Sequence, residues 1–598
     1  MNEEQLHAMR HTAAHVLAAA VKRLYPEAKF GVGPVIDNGF FYDIALPEPL
    51  SKERLPKIEK VMRRIVQEGH AMVREEMPMD EAVKLFESQD QPFKVELLND
   101  LKERGTTKLN AEELQDIDPE NVDKATVYRT GEFVDLCRGP HVENVKELGV
   151  FKLWKVSGAY WRGDQERNEQ MQRIYGLAFE TQEELDAYLE MLKEAEKRDH
   201  RKLGKELDLF AFSDLVGPGL PLFTPRGTIM REQLTDFVWQ LMKPYGYTRV
   251  RIPHMAKNDL YKTSGHWDKF ADDIFHVTSK KTDQAFVMKP MNCPHHTQIY
   301  ASRMRSYRDL PLRYSEVTAV YRDENTGQLQ GLSRVRSITQ DDAHVFCRMD
   351  QVKDEAKAIY DIITKFYAAF DMPLSIRLSM HDENEPEKYL GGAEVWDKSV
   401  GTLRDLLKEL GQEFEEVPGE AAFYGPKIDF IAKDAIGREW QLATIQLDFN
   451  LPERFELEYT NKEGEKERPV MVHRAILGSV ERFMAVLIEH YAGAFPMWLA
   501  PEQIRIATVS EDFADFAYDL KKKLDDAGLR VEVDNSNEKV GKKIRVAAMQ
   551  KIPWTIVVGE QEAGGGDFNV NIFGQQEDMH IPAGEIVEKA VESAKMPV

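Results

Sequence analysis

Cysteine is scarce in this chain: only Cys137, Cys293 and Cys347 occur in 598 residues. So few thiols cannot build a disulfide framework, and any special cysteine is to be sought as a metal ligand or a nucleophile. Long apolar runs are missing as well. No stretch approaches the roughly 20 residues needed to cross a bilayer, and the start MNEEQLHAMRH lacks the apolar segment of a signal peptide. A cytoplasmic protein without a membrane partner is expected. Net positive charge is absent too: the balance is −23, which argues against nucleic-acid binding through an overall basic surface but leaves room for a local one. Internal repeats and low-complexity tails are also lacking.

What is present is ordinary globular composition, 42% hydrophobic and 30% charged, in a chain too long for one core. At roughly 100 to 200 residues per domain, three or more are expected. RHTAAHVLAAAVKRLY, free of Gly and Pro, predicts a helix. KFGVGPVIDNGFFYDIAL predicts strands and tight turns, and a second helix is expected around Lys52 to Gln67, so an α+β domain spans residues 1–180. The charged run QEELDAYLEMLKEAEKRDHRKLGKELD predicts one connecting helix over 181–208. From 209 to 499, YTRVRIP, AFVMKP, SIRLSM and EWQLATIQLDF predict strands of one large antiparallel sheet. In 500–598 the short strands IRIATVS, LRVEVD and TIVVGE alternate with helices at Asp512 to Ala527 and Lys542 to Gln550, the pattern of a small α/β domain with a parallel sheet.

Three groups of residues carry possible chemistry. HTAAH puts His11 and His15 one helical turn apart, and DLCRGPH gives Cys137 and His141 the same separation. Each pair alone is equally the pattern of a satisfied histidine or a buried thiol; together they are of metal-ligand type. YRDENTGQLQGLSRVRSITQDDAH places Arg322, Arg334 and Arg336 around a polar Gly-containing turn. Guanidinium forks on such a hairpin can hold phosphate and carboxylate at once, although a solvated hairpin has the same pattern. DDAH and MVHRAILGSVERF add His344, His473 and Arg482, and a cation on so apolar a helix needs a partner, if only an ordinary salt bridge. Near the C-terminus, NSNEKVGKKIRVAAMQKIPW clusters Lys539, Lys542, Lys543, Arg545 and Lys551, either a nucleic-acid face or a plain amphipathic helix.

MNCPHH, SITQDDAHVF, FYGPKIDF and VHRAILGSVERF, in this order, resemble the threonyl-tRNA synthetase family over almost the whole chain. The resemblance implies a class II synthetase: an N-terminal editing domain, a catalytic antiparallel sheet and a C-terminal anticodon-binding domain. Its three motifs fall on the stretch ending at Pro253, which in the family builds a homodimer, on the Arg322 hairpin, and on GSVERF with Arg482.

The same resemblance implies one zinc per subunit on Cys293, His344 and His473, with a position open for threonine. It implies that Arg322 binds the α-phosphate of ATP and the threonine carboxylate, and that Arg482 and Arg334 hold the remaining phosphates with Mg²⁺. Gln340, Asp342, Tyr424, Lys427 and Gln446 then surround threonine, Gln441 and Ser479 lie near the nucleotide, and His266 assists the terminal ribose hydroxyl of tRNA-Thr. His11, His15, Cys137 and His141 match the signature of the editing site, which in the family works without zinc, with Asp135 and Tyr42 lining its pocket. Serine lacks only a methyl group, worth about 1 to 3 kcal/mol of discrimination, so a second hydrolytic site is needed.

The chain departs from the family pattern in three places. It begins at the editing domain, without the ubiquitin-like N-terminal domain common in bacterial relatives. His295 stands where relatives usually have Gly, and Ala443 at another usual glycine, both beside expected substrate contacts. The rivals are an inactive tRNA-binding paralogue, a class II synthetase for another amino acid, and an editing-only hydrolase. The first has no need of Arg322, Arg482 and the Cys/His trio, the second none of that trio with an editing domain, and the third none of the long catalytic segment.

Overall fold

The computed structural model describes residues 1–104, 124–163, 170–269, 271–382, 385 and 388–597. Two compact units are present, Met1–Lys193 and Glu194–Val598. Among the described residues no helix is long and apolar enough to cross a membrane.

The first unit opens with α1 (Glu3–Leu24), whose start is fixed by a capping box between Asn2 and Gln5. Alanines 8, 13, 14, 18, 19 and 20 are buried, and their small side chains let α1 lie close against β1 (Gly39–Ala45). The amphipathic α2 (Leu55–Glu68) packs on α1 and ends on Gly69 in the left-handed conformation. β2 (Met72–Pro78), β3 (Lys124–Thr130) and β4 (Phe133–Leu136) form a small antiparallel sheet, with α3 (Pro92–Arg104) between the first two in sequence. β5 (Val150–Tyr160) and β6 (Gln170–Phe179) join β1 in a second antiparallel sheet. This is an α+β arrangement.

The expected single connecting helix is two: α4 (Gln182–Arg198) and α5 (His200–Glu206). Asp199 breaks the run because its side chain accepts from Arg201 N–H and caps the second helix.

The second unit is built on an eight-stranded sheet of β7 (Thr248–Arg249), β8 (Leu312–Tyr321), β9 (Ser337–Cys347), β10 (Leu374–Met380), β11 (Glu415–Pro418), β12 (Lys427–Lys433), β13 (Glu439–Asp448) and β14 (Val470–Ala475). Their spatial order is β7-β8-β9-β14-β13-β12-β10-β11. All pairs are antiparallel except the two edge pairs, β7·β8 and β10·β11. AFVMKP is not part of it: Phe286–Met288 belongs to a separate three-stranded sheet, and YTRVRIP contributes only the two residues of β7. One face of the large sheet, with Val345, Ile428, Phe430, Ile445 and Val472, is sealed by helices Pro225–Met242, Val352–Ala368 and Ala393–Glu409. Strand alternation leaves the other face to polar side chains. Cys293 opens α6 (Cys293–Ala301), and Arg482 lies in the first turn of α7 (Val480–His490).

The last sheet holds β15 (Ile504–Thr508), β16 (Val531–Asp534), β17 (Trp554–Val558), β18 (Phe568–Ile572) and β19 (Met579–Ile581). The three strands expected from the sequence are parallel, but β18 and β19 add antiparallel pairs, so the sheet is mixed. Helix α8 (Val540–Met549) carries the C-terminal cluster of cations.

Candidate functional site

On β9, Gln340, Asp342 and His344 alternate with buried Asp341, Ala343 and Val345, so the first three share the open face. The register then draws a row across the sheet. His344 stands opposite His473 on β14, His473 opposite Gln446 on β13, and Gln446 opposite Lys427 on β12. With strands about 4.8 Å apart, residues distant in sequence become lateral neighbours. Cys293 joins them from α6: the ligating atoms of Cys293, His344 and His473 lie within 4.8 Å of one another, and all three residues are buried.

The surroundings hold each group in place. His473 Nε2 is 2.9 Å from Asp448 Oδ2, and the Tyr424 ring stacks on the His473 imidazole at 4.9 Å. Tyr424 OH donates to Gln446 Oε1 at 2.5 Å, and Asn292 Nδ2 donates to Asp342 Oδ2 at 2.9 Å. His344 Nδ1 lies 2.7 Å from His296 Nδ1. Lys427 pairs with Asp429 at 2.7 Å. Burial keeps the His344 imidazole well below its ordinary range and raises the Asp342 carboxyl, the Tyr424 phenol and the Cys293 thiol. Two imidazoles beside a buried sulfur form a donor set that suits zinc, and the Asp448 carboxylate on His473 fixes the orientation of that ring.

Two arginines flank this row. Arg322 follows β8, its backbone held by Arg336 O at 3.0 Å, and its guanidinium lies 3.4 Å from Met291 Sδ. Arg482 sits where Ser479 caps α7, and its guanidinium lies 5.9 Å from the centre of the Trp440 ring. Burial makes both guanidiniums less favourable. Among the described residues neither makes an ion pair with a carboxylate, which leaves two half-buried cations ready for an anion. Arg334 is different: it is exposed and paired to Glu324 at 2.7 Å. Gln340 bridges to Ser479 through the backbone, and Gln441 is exposed beyond a bulge between β12 and β13. His266 is buried, with Nδ1 2.8 Å from Ser264 Oγ and Nε2 3.7 Å from Cys293 Sγ. Burial, with repulsion from His473 and Arg322, pushes it down to about 3.

The first unit gathers a second set. His11 and His15 project from one turn of α1, ring centroids 5.3 Å apart, and meet His141 at 4.2 and 4.5 Å. Cys137 Sγ is 3.3 Å from His11 Nε2 and 3.2 Å from His141 Nε2. The loop that returns His141 needs Gly139, at φ +88°, where a Cβ would come within 2.5 Å of Tyr128 OH. Beside the set, Asp135 accepts from Tyr42 OH at 2.5 Å and pairs with Lys94 at 2.5 Å, while Lys94 also donates to Tyr42 OH at 3.0 Å. His15 Nδ1 is 3.5 Å from Asp135 Oδ2. Burial and neighbouring cations hold His15 and His141 far below the ordinary histidine range, so both are neutral.

Lys539, just before α8, and Lys542 and Arg545 on it are exposed. Lys543 corrects the expectation of a fourth surface contact. It is 2% exposed, and its ammonium donates to Thr508 O at 2.9 Å, Thr508 Oγ1 at 3.2 Å and Asp534 O at 3.1 Å. Its donors are spent on tying β15 to β16.

Residues 275–491 match the tRNA synthetase class II core domain (G, H, P, S and T), residues 503–593 an anticodon binding domain, and residues 125–175 the threonyl and alanyl tRNA synthetase second additional domain. The threonine–tRNA ligase of Gloeobacter violaceus is 47% identical over 98% of this chain and 92% of its own length. That of Porphyromonas gingivalis is 46% identical over 98% and 88%. The chain belongs to the threonine–tRNA ligase family. It is a class II aminoacyl-tRNA synthetase with a core, an anticodon-binding module and an editing module. Among solved structures, the RNA binding domain of threonyl-tRNA synthetase from Cryptosporidium parvum is similar, with a TM-score of 0.64 and 35% identity over 67% of this chain and 99% of that one.

Several site residues escape a reading of the sequence. Asp448 and Asn292 stand in quoted motifs, but only the register and α6 bring them to His473 and Asp342. Lys94 lies in an unremarkable helical run, and no local signal marks it. Ala443, expected beside substrate, faces Phe430 in the core instead. His295 is buried, with neither ring nitrogen hydrogen-bonded among the described residues, and is pushed down to about 4 by burial.

Proposed function

We propose that the chain forms threonyl-adenylate from threonine and ATP on the open face of its large sheet, transfers threonine to the 3′ end of tRNA-Thr, and hydrolyses seryl-tRNA-Thr in its first unit. The observation that carries this reading is the transverse row of His344, His473, Gln446 and Lys427 beside two half-buried arginines that, among the described residues, have no acid partner. The proposed domains are 1–180 for editing, 181–208 for the connection, 209–499 for catalysis and 500–598 for the anticodon.

Cys293, His344 and His473 would hold zinc, which when bound supplies a Lewis-acid seat for the amino and hydroxyl groups of threonine. Asp342 accepts from the threonine hydroxyl, and Gln340, Tyr424, Gln446 and Lys427 enclose the amino acid. Valine offers no hydroxyl, and leaving such buried polar groups unpaired costs a factor of about 10⁴. Arg322 bridges the threonine carboxylate and the α-phosphate and offsets the charge that develops as the carboxylate attacks phosphorus. Arg482 holds the outer phosphates of Mg²⁺-bound ATP, with Arg334 joining once it leaves Glu324, and Gln441 and Ser479 border the nucleotide. His266, kept neutral by burial, assists the terminal ribose hydroxyl.

For editing, His11, His15, Cys137 and His141 position the seryl ester and activate water, with Asp135 and Tyr42 on the pocket wall. Lys539, Lys542 and Arg545 face tRNA. The enzyme works as a cytoplasmic homodimer. The test is charging of tRNA-Thr with serine. Wild type should hydrolyse seryl-tRNA as fast as it forms, and His11→Ala should accumulate it while charging threonine normally. Equal accumulation by both proteins would remove the editing role.

A further inference from the structure

The connecting segment contains a buried residue that the proposed chemistry does not use. His200, at the start of α5, is 4% exposed within a highly charged stretch. A buried imidazole needs partners for both nitrogens. His200 Nδ1 is 2.6 Å from Glu489 Oε1, and Nε2 is 3.1 Å from Leu332 N. An amide N–H only donates, so Nε2 is the acceptor and Nδ1 carries the proton toward Glu489. The backbone N–H of His200 donates to the same carboxylate oxygen at 3.0 Å.

The two partners belong to the two elements that carry the arginines. Leu332 lies at the turn between Arg322 and Arg336. Next to it, Gly331 has φ +50°, and a Cβ there would come within 2.3 Å of His200 Nε2, so the turn seats directly on the imidazole. Glu489 lies in the last turn of α7, whose first turn carries Arg482. Its second oxygen pairs with Arg438 at 2.6 Å, two residues before Trp440, the ring beside the Arg482 guanidinium.

Asp199, His200 and Glu489 have the spacing of metal ligands. Their donors are already engaged: Leu332 N–H occupies Nε2, Arg438 and His200 occupy both oxygens of Glu489, and Asp199 pairs with Arg201 at 2.5 Å. The cluster is an anchor and not an ion site.

We propose that His200 is a positioning residue for ATP, locking the hairpin that carries Arg322 to the helix that carries Arg482. This rests on the reading of those arginines as the grip on ATP. A hairpin freed at Leu332 lets Arg334, two residues on, miss the outer phosphates, while Arg322 stays fixed at the end of β8 with the threonine carboxylate, so ATP weakens and the threonine pocket on β9, β13 and β14 stays intact.

The test is ATP/pyrophosphate exchange by the full chain at varied ATP and varied threonine, with melting temperature and amide hydrogen exchange at Leu332. His200→Asn keeps a donor toward Glu489 but loses the acceptor for Leu332. It should raise KM for ATP about tenfold, the loss of one hydrogen bond at a buried site. KM for threonine should stay unchanged, the melting temperature should fall by only a few degrees, and the Leu332 amide should exchange faster. His200→Gln, whose amide oxygen reaches Leu332, should recover most of the ATP affinity. Both KM values rising together, or an unchanged KM for ATP despite faster Leu332 exchange, would overturn the inference alone. Absence of exchange by the wild type would overturn the parent reading and this inference with it.

Discussion

The His/Cys set of the first unit and that of the second use the same residue types yet are assembled by different routes. His11, His15, Cys137 and His141 come from one turn of a helix and one loop, so both halves of the set are local in sequence. Cys293, His344 and His473 come from a helix start and two paired strands, and only the sheet register makes them neighbours. Their settings differ as well. The first set is backed by a buried Lys94–Asp135 ion pair with Tyr42 bridging it. The second is flanked by two guanidiniums that, among the described residues, have no acid partner. A base and an ester-positioning pocket suit the first setting, and an anion-binding, metal-holding one suits the second. Donor atoms alone do not decide chemistry; the charges around them do.

Arg322→Ala is the sharpest way to separate the two sets. Adenylate formation should fall by about 10³-fold, the scale of losing one preorganised charge stabiliser, while hydrolysis of seryl-tRNA supplied ready-made is unaltered. Parallel loss of both activities would break the comparison. Asp135→Asn makes the converse cut: seryl-tRNA hydrolysis should drop about 100-fold with pyrophosphate exchange untouched, as expected for a group that tunes acid–base chemistry.

A smaller effect belongs to Asp448→Asn. Removing the carboxylate behind His473 should weaken zinc retention about tenfold in competition with a chelator, without changing the hydrolytic set. The smallest effect is on stability. Burial lowers His15 and His141 in the first unit, and holds His266 at about 3 and His296 at about 3 in the second. Each stays neutral in the folded chain while the unfolded chain takes up a proton below about pH 6.5. Their contribution is therefore present above pH 6.5 and is lost as pH falls toward the folded values, at about 1.4 kcal/mol per pH unit for each histidine. Melting temperatures measured from pH 7 to pH 5 should decline by several degrees, and a flat profile would contradict the buried neutral state.

Local signals made much of this legible. The family resemblance names Gln340, Asp342 and His344, and the i, i+4 spacings mark the first set. Cross-strand partners stayed hidden, because the pairing of His344 with His473 and of Gln446 with Lys427 is set by tertiary register. A lysine on an amphipathic helix has no local mark of turning inward; three carbonyl and hydroxyl acceptors at the ends of β15 and β16 draw Lys543 in. The charge pattern of the connecting segment continues through Asp199, whose capping role needs only one side-chain bond, so nothing local marks the break between α4 and α5. The antiparallel hairpin of β18 and β19 leaves little mark in the sequence because its strands are only five and three residues long.

The most direct test of the account is amino-acid-dependent ATP/pyrophosphate exchange with threonine, serine and valine, on protein of measured zinc content. Strong exchange with threonine, weaker exchange with serine, none with valine and about one zinc per chain are predicted, since serine keeps the hydroxyl and valine lacks it. Folded, zinc-loaded protein that exchanges with none of the three, or with valine as readily as with threonine, would contradict it.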